Sequence, residues 1–359
     1  MNSSDSGKAA GTCDAGNPDA TRRLGSVSLA DVAAEAKVSR MTVSRVLREA
    51  DGVSAETRAR VREVARRLGH VPDRIAASFG SETANPLVGV ALPTLGRDLH
   101  AQILEGLEGR LAAVGYQPMI GVVGHDDERE RNWLMSALAW RPAGLVVAGR
   151  PRGETARELL ASLSVPVVEI WNLGEAGRMQ RRADPLKVGF DHYRAGRQMG
   201  EHLAARYSGA VGYVGARPEG VVLGGARLDG FRDAFAATGE VTTLFLNDRS
   251  SFYSGYYGTE QILSGYPSLR VLYYLDDAMA VGGLMFCQKK GLKIPGDIAI
   301  AGFGGTDIGS VLPARLTTTS TFRLRIGKLA AENLLKRIEG RPVPVVQDVG
   351  SELVKGETA

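Results

Sequence analysis

The chain has 359 residues, 44% hydrophobic and 23% charged, which is enough to bury a large core and to form two or three domains. Its longest apolar runs have the length of a strand, well short of the roughly 20 residues that cross a membrane. The small, polar residues at its start lack the apolar core of a signal peptide. We therefore expect a cytoplasmic protein. Cys13 lies in a polar segment and Cys287 among apolar residues, so we expect no disulfide framework.

The net charge of +4 is concentrated in one short segment. Residues 22 to 79 contain 12 Lys and Arg against 7 Asp and Glu, whereas the rest of the chain is close to neutral. A compact basic module suits a phosphate backbone, because each neutralised phosphate releases counterions. An arginine-rich helix face in contact with water would explain the same charge equally well.

The first part of the chain predicts a polar tail followed by three short helices. Residues 1 to 25 have no periodic apolar positions, and we expect them to be disordered. Ser28 is a plausible N-cap for "LADVAAEA", Ser39 for "RMTVSRVLRE", and Ser54 for "AETRARVREVARRLGH", which Gly69 ends. The three apolar stripes can share one small core, which predicts an all-α domain over residues 26 to 72.

The pattern changes after this helical domain. Residues 73 to 86 are a short amphipathic stretch and a polar linker, which together indicate a hinge. From residue 87 to 359, apolar strands alternate with amphipathic helices, a pattern typical of a parallel sheet covered by helices on both faces. The number of elements exceeds one typical sheet. We therefore predict an α/β body of two similar doubly wound lobes.

Two short helices joined by a tight turn predict a helix-turn-helix motif, whose second helix can enter the major groove of DNA. The second helix directs Arg40, Met41 and Arg45 outward, and an arginine can bind guanine with two hydrogen bonds while methionine suits thymine methyl groups. Short hydroxyl side chains that suit phosphates lie on or beside it: Ser39, Thr42 and Ser44. The alternative is that this is an ordinary surface helix that does not bind DNA.

The order of these segments adds a resemblance to a known family. "VSRMTVSRVL", "VSAETRARVREVARRLGHVP" and "DRIAASF" resemble the DNA-binding headpiece and hinge of the LacI/GalR family of bacterial repressors. "VGFDHYRAGRQMGEHL", "ARLDGF", "LDDAMAVGGL", "IAIAGF" and "LTTTSTFRLRIGKLAAENLL" resemble its periplasmic-binding-protein-like effector domain. The resemblance implies a homodimer or tetramer that binds double-stranded operator DNA and is released by a small-molecule effector.

The resemblance also implies which residues contact DNA. It places base reading on Arg40, Met41 and Arg45, and minor-groove contacts of the hinge on Ala76 and Phe79. The complete implied set is Ser28, Ser39, Arg40, Met41, Thr42, Ser44, Arg45, Ser54, Thr57, Ala76 and Phe79. Three positions depart from the family pattern: Lys37 replaces a turn glycine, Asp73 a hinge asparagine, and Phe79 a leucine. An acidic Asp73 near phosphates should weaken the hinge contacts.

For the effector, the resemblance places Arg227 and Asp277 at ligand-holding positions of the cleft, although a surface charge and a helix cap are alternatives for them. The implied set is Arg97, Leu99, Trp171, Arg227, Asp276, Asp277, Thr321 and Arg323. Gly304 and Gly305 stand where many relatives have an acid, which favours an anionic effector over a neutral hexose. "MSALAWRPAGLVVAG" and "CQKKGLKIPGDIAIAGFGGTDIG" resemble gluconate-operon repressors. Another aldonate, a neutral sugar or a corepressor remain alternatives.

Two other functional classes have weaker support. A soluble sugar-binding protein would need no helix-turn-helix segment. An enzyme would need a catalytic constellation, and the sequence has no phosphate-binding GxxxxGK[ST] loop, no HExxH and no cysteines at zinc spacing. "GFGGTDIG" is only a weak dinucleotide signal, because it follows a late strand and lacks the GxGxxG spacing. We therefore expect no enzymatic activity, no cofactor and no metal.

Overall fold

The computed structural model describes residues 27–47, 49–70, 85–96, 98–124, 126–149, 153–173, 185–217 and 225–359. The chain divides into two compact units, residues 1–83 and 84–359. The predicted tail and most of the predicted hinge, including Ala76 and Phe79, lie outside the described residues. None of the described helices is long and apolar enough to cross a membrane.

The first unit contains three helices, α1 (Leu29–Ala36), α2 (Arg40–Leu47) and α3 (Ala55–Leu68). A serine precedes each helix, and its hydroxyl accepts a hydrogen bond from the backbone N–H three residues later. These bonds are 3.3 Å for Ser28, 3.1 Å for Ser39 and 3.3 Å for Ser54. Each serine therefore satisfies an N–H that the helix itself leaves unpaired.

The small core of this unit is built from branched and small apolar residues of all three helices: Val32, Ala33, Ala36, Val43, Val46, Val61, Val64 and Ala65. The turn between α1 and α2 is tight because Lys37 adopts the left-handed conformation (φ 53°, ψ 49°). Its N–H bonds the carbonyls of Ala33 and Ala34. Glycine is the usual residue at such a position, since a side chain there costs about 1 kcal/mol.

The second unit begins with a six-stranded parallel sheet, which defines the N-terminal lobe. Its strands are β1 (Asn85–Leu92), β2 (Gln117–Val122), β3 (Pro142–Ala148), β4 (Val167–Asn172), β5 (Leu186–Phe190) and β11 (Val346–Asp348), in the order β11-β5-β4-β3-β1-β2. The helices of this lobe are α4 (Asp98–Ala112), α5 (Asp127–Ala139), α6 (Glu154–Ser162) and α12 (Arg323–Ile338). Strand β3, "PAGLVVA", is almost entirely buried, as expected of a central strand covered on both faces.

The C-terminal lobe has a four-stranded parallel sheet of β6 (Val211–Ala216), β7 (Val241–Leu246), β8 (Val271–Tyr274) and β9 (Ala299–Ala301), in the order β7-β6-β8-β9. Its helices are α7 (His192–Ala204), α8 (Gly225–Phe235), α9 (Phe252–Gly265), α10 (Asp277–Lys289) and α11 (Ile308–Val311). A short antiparallel pair joins β10 (Thr318–Ser320) to β12 (Glu352–Val354). The predicted fold, a helical headpiece with two α/β lobes, is confirmed.

The chain crosses between the two lobes at residues 190–192, 320–323 and 348–352, which separate β5 from α7, β10 from α12, and β11 from β12. All the strands within each of the two larger sheets run parallel, so their carboxyl ends gather at one edge of each sheet. Loops that leave these edges are where open α/β sheets bind ligands. The fold therefore places a cleft beside the crossing segments.

Candidate DNA-binding surface and effector cavity

Helix α2 has one buried and one exposed face. Val43 and Val46 are completely buried in the core of the first unit. Arg40, Met41 and Arg45 are exposed, and Met41 is 68% exposed although its side chain is apolar. An unpacked methionine between polar neighbours at the start of a helix is available for contact with another molecule.

Most hydroxyl residues of the implied DNA-contact set lie at helix N-termini. Ser28, Ser39 and Ser54 are the three residues that cap α1, α2 and α3. Two of them also meet a neighbouring hydroxyl, with Ser39 Oγ 2.9 Å from Thr42 Oγ1 and Ser54 Oγ donating to Thr57 Oγ1 at 3.0 Å. Helix N-termini attract anions through their N–H groups and dipole, so these positions suit phosphates. Ser44 is half-buried on α2.

A cavity of about 600 Å³ opens at the carboxyl ends of the strands of the second unit. Its lining residues come from both lobes: Gly96, Leu99, Trp171, Arg227, Ser250, Ser251, Phe252, Leu275, Asp276, Asp277, Ala278, Phe303, Gly304, Thr306, Asp307, Ile308 and Arg323. Cavities of this size between lobes commonly bind small molecules. Six of the eight predicted effector residues line it, whereas Thr321 is buried outside the lining and Arg97 lies outside the described residues.

Arg227 is the most unusual of the lining residues. It is only 2% exposed, and its guanidinium carbon lies 3.6 Å above the centre of the Phe303 ring. Nη2 donates a hydrogen bond of 2.7 Å to the carbonyl of Leu275, while Nε has no hydrogen-bond partner among the described residues. No carboxylate in the described part of the chain forms an ion pair with this guanidinium. The buried charge is therefore stabilised by the face of the Phe303 ring, the carbonyl of Leu275 and the neighbouring hydroxyl of Tyr213.

Close helix packing fixes the position of Arg227. Helices α7 and α8 pack against each other, and Gly196 of α7 faces the backbone of Arg227 so closely that a Cβ there would overlap its carbonyl oxygen. A Cβ on Gly230 of α8 would likewise overlap the carbonyl oxygen of Tyr193 on α7. The two glycines thus permit the close approach that holds Arg227 at the wall of the cavity.

Arg323 is the second buried guanidinium of the lining, with 4% of its surface exposed. Its Nη2 donates to the carbonyl of Gly304, and its Nε donates to Thr321 Oγ1 at 3.3 Å. Thr321, which lies outside the cavity lining, therefore orients the side chain of Arg323. Gly304 has a φ of 138°, and a Cβ at this position would lie 3.0 Å from Nη2. The absence of a side chain at Gly304 therefore lets Arg323 approach the loop.

The two adjacent aspartates have different surroundings. Asp277 is completely buried, and its carboxylate accepts hydrogen bonds from Thr306 N (2.7 Å), Thr306 Oγ1 (2.9 Å) and Thr318 Oγ1 (2.5 Å). Burial raises the pKa of Asp277, and the hydrogen bonds from Thr306 and Thr318 oppose that rise. These hydrogen bonds therefore connect the loop after β9 and strand β10 to the first residue of α10.

Asp276 is the residue that caps α10. Its Oδ1 accepts from Met279 N at 3.0 Å, and its Oδ2 accepts from the hydroxyl of Ser250. The helix-cap alternative considered for Asp277 thus applies to its neighbour. The carboxylate of Asp276 still lines the cavity, so cap and ligand contact are compatible there.

Leu99 and Trp171 contribute apolar surface to the cavity. Trp171 is the second-last residue of β4 and has a φ of 84°, an unusual conformation for a bulky residue, and its ring meets Phe190 edge-on at 4.9 Å. Sequence reasoning did not identify Phe303, on which Arg227 stacks. An aromatic residue directly after the buried run "IAIAG" is the signal that could have found it.

The exposed recognition helix and the two-lobed cavity define a class of protein, a DNA-binding regulator with a small-molecule site. Residues 28–73 match the model of bacterial regulatory proteins of the lacI family, and residues 201–359 match a periplasmic binding protein-like domain. The chain belongs to the LacI family and is a DNA-binding transcriptional repressor, not an enzyme.

Individual relatives agree with this membership. The HTH-type transcriptional regulator GntR of Escherichia coli (strain K12) is 35% identical over 91% of this chain and 97% of its own length. The regulator GntR of Pseudomonas aeruginosa is 32% identical over 95% of this chain and 98% of its own. A LacI family protein from Silicibacter pomeroyi superimposes with a TM-score of 0.83 and 34% identity, covering 92% of this chain and 99% of that one. The lac repressor dimer bound to operator gives a TM-score of 0.79 at 25% identity, over 92% and 98%.

Proposed function

We propose that this chain represses genes of sugar-acid metabolism and that gluconate, or a closely related aldonate, binds in the cavity and releases the repressor from its operator. Support comes from the resemblance to gluconate-operon repressors and from the similarity to two regulators named GntR. A repressor that acts on operator DNA would work in the cytoplasm.

The observation that carries the proposal is the guanidinium of Arg227. A buried charge without an opposite partner is destabilising by several kcal/mol, and an anion in the cavity would offset that cost. A carboxylate matches the planar donors of arginine better than a neutral hydroxyl does. Arg323 lines the same cavity and supplies a second guanidinium.

The remaining polar groups favour a ligand that also carries hydroxyls. Asp276, Asp277 and Asp307 line the cavity, and a simple dianion would be repelled by them. A hydroxyl can instead donate to a carboxylate while its neighbour on the ligand accepts from Ser250 or Thr306. In an aldonate, the carboxylate can pair with the arginines of the cavity and the chain of hydroxyls can donate to its aspartates.

For operator recognition, we propose that Arg40 and Met41 select the bases and that Arg45 binds a guanine. The exposed position of these side chains on α2 supports this assignment. The capping serines Ser28, Ser39 and Ser54, with Thr42, Ser44 and Thr57, would hold phosphates at the three helix N-termini. Ala76 and Phe79 remain candidates for the hinge contacts.

We propose that the working form is a homodimer on a pseudopalindromic operator. Two apolar surfaces of the second unit support this. Edge strand β2 exposes Ile120 and Val122, and α9 exposes Tyr253 (72%) and Tyr257, whose rings lie parallel at 6.4 Å. Exposed edge strands and aromatic patches are typical of surfaces that a partner covers.

The response follows from linkage between two sites. If the ligand favours a lobe arrangement that DNA disfavours, it lowers operator affinity by the same factor by which DNA lowers ligand affinity. Calorimetry with gluconate, other aldonates, glucose and glucitol, in the presence and absence of saturating operator, tests the proposal. We expect gluconate to bind more tightly than glucitol and more weakly when operator is present. Equal affinity with and without operator would refute the release mechanism, and preference for a neutral sugar would refute the effector class.

A further inference from the structure

Buried polar groups lie directly behind the wall of the effector cavity. Tyr213 on β6 and Tyr273 on β8 are register partners in adjacent parallel strands, and both are completely buried. Their rings are 5.7 Å apart and inclined by 71°. Neither hydroxyl forms a hydrogen bond of good geometry among the described residues, and the side chain of Arg227 is within hydrogen-bonding reach of the Tyr213 hydroxyl. Unpaired buried hydroxyls are rare in native proteins, so a pair of them on neighbouring strands indicates a binding site.

The charge of the same guanidinium acts on both tyrosines. Burial raises the pKa of Tyr213 and of Tyr273, and the nearby charge of Arg227 opposes that rise in both. Nε of Arg227 is itself buried without a partner among the described residues. Both hydroxyls are therefore within electrostatic range of the Arg227 guanidinium, and the Tyr213 hydroxyl is within hydrogen-bonding reach of it.

His192 completes this group of side chains. It is the last residue of the crossing segment 190–192 and the first of α7. Its ring packs 5.6 Å from that of Trp171 and 6.2 Å from that of Phe303. Both neighbours line the cavity. Neither ring nitrogen of His192 forms a hydrogen bond of good geometry among the described residues, although the backbone of Trp171 lies within reach of the ring. Burial and then the charge of Arg227 lower the pKa of His192 to about 3, so the neutral ring offers one donor and one acceptor.

We propose that His192, Tyr213 and Tyr273 enclose a small hydration site behind Arg227, and that the water held there positions the guanidinium for an anionic ligand. Buried water typically makes about three hydrogen bonds to polar groups that protein leaves unpaired. The hydroxyls can donate or accept, the imidazole does both, and Nε donates, so this set matches water. The three side chains are positioning residues, and their assignment to anion binding rests on the function proposed above.

Phenylalanine substitutions test the hydroxyls without changing the shape of the core. We compare the full-length Tyr213→Phe, Tyr273→Phe and double variants with the control Tyr274→Phe. Tyr274 is the next residue of β8, is equally buried, and bonds Thr259 Oγ1 at 2.7 Å instead. The double variant should bind gluconate about tenfold more weakly, as expected when supporting hydrogen bonds to a binding group are lost, with glucitol binding unchanged. The control should change neither affinity.

The melting temperature of the ligand-free protein independently tests whether the cluster holds water. If the hydroxyls hold water, their removal leaves polar groups of the site unpaired and the melting temperature should stay level or fall. If the cluster is dry, removing two unpaired hydroxyls should raise it by roughly 2–4 °C or more. A rise in melting temperature with unchanged gluconate affinity overturns the proposal.

A high-resolution crystal structure of the ligand-free protein separates this inference from the proposed function. Water within hydrogen-bonding distance of Arg227 Nε and of at least one tyrosine hydroxyl supports the hydration site, and a dry compartment refutes it. Failure of the wild-type protein to bind gluconate would instead refute the effector assignment. The melting temperatures and the electron density would then still decide the inference about the hydration site.

Discussion

Replacing Arg227 by methionine separates ligand binding from folding. The substitution keeps an unbranched side chain of similar length and removes the charge. A bound carboxylate would lose a charge-assisted pair of hydrogen bonds, worth about 3 kcal/mol or more in all. Since 1.4 kcal/mol is about tenfold in affinity, gluconate should bind Arg227→Met at least about 100-fold more weakly.

The same substitution should leave the stability of the free protein nearly unchanged. Arg227 gives up its 2.7 Å hydrogen bond to Leu275 and its contact with the Phe303 ring, together worth roughly 2–4 kcal/mol. The protein is at the same time relieved of an unpaired buried charge, which costs a similar several kcal/mol. We therefore expect the free energy of unfolding of Arg227→Met to lie within about 1–2 kcal/mol of the wild type.

Calorimetry measures the affinities, and urea denaturation measures the stability. Arg232→Met is the matched control, because Arg232 lies on the same helix α8, is exposed, and pairs only loosely with Asp229 at 3.7 Å. This control should change neither quantity. Wild-type gluconate affinity in Arg227→Met would refute the reasoning, and so would loss of the fold.

Three further outcomes follow from the structure. Lys37→Gly should stabilise the first unit by about 0.5–1 kcal/mol in thermal denaturation, because the left-handed turn suits glycine, and destabilisation would contradict this. Exchanging Arg40 and Met41 should redirect base preference in operator selection while the salt dependence of binding changes by about one phosphate at most; an unchanged preference would refute their role. His192 is held neutral with its pKa lowered to about 3, so its contribution to stability is complete above pH 6.5 and decreases as the pH falls towards 3. Between pH 7 and 5 this should remove roughly 2 kcal/mol from the free energy of unfolding, and His192→Gln should abolish that part of the pH dependence.

Local signals in the sequence were sufficient for the first unit. The hydroxyls of Ser28, Ser39 and Ser54 cap the helices that the sequence predicted, and Gly69 ends the third helix with a φ of 69°. These features depend on residues within one turn of each other, so spacing reveals them. The alternation of strands and helices likewise predicted two parallel sheets.

Contacts between distant segments were beyond such reasoning. Strand β11 has three residues, too few to show a period, yet it pairs with β5 and completes the larger sheet. The two aspartates after β8 look equivalent in sequence. In the structure Asp276 caps a helix, whereas Asp277 accepts hydrogen bonds from Thr306 and Thr318. These two threonines lie about 30 and 40 residues further along the chain, so local spacing could not reveal the difference.

The position of the buried arginines explains how a small ligand could control the lobes. Arg323 is the last residue of the crossing segment 320–323 and the first of α12, so its hydrogen bond to the carbonyl of Gly304 connects the N-terminal lobe to a loop of the other lobe. Arg227 belongs wholly to the C-terminal lobe, on α8. A carboxylate held by both guanidiniums would therefore bind best in a single lobe arrangement. A ligand shifts an equilibrium only by its difference in affinity for the two states, so a tenfold change in operator affinity needs about 1.4 kcal/mol. One charged hydrogen bond that is formed in only one of the two arrangements supplies that difference.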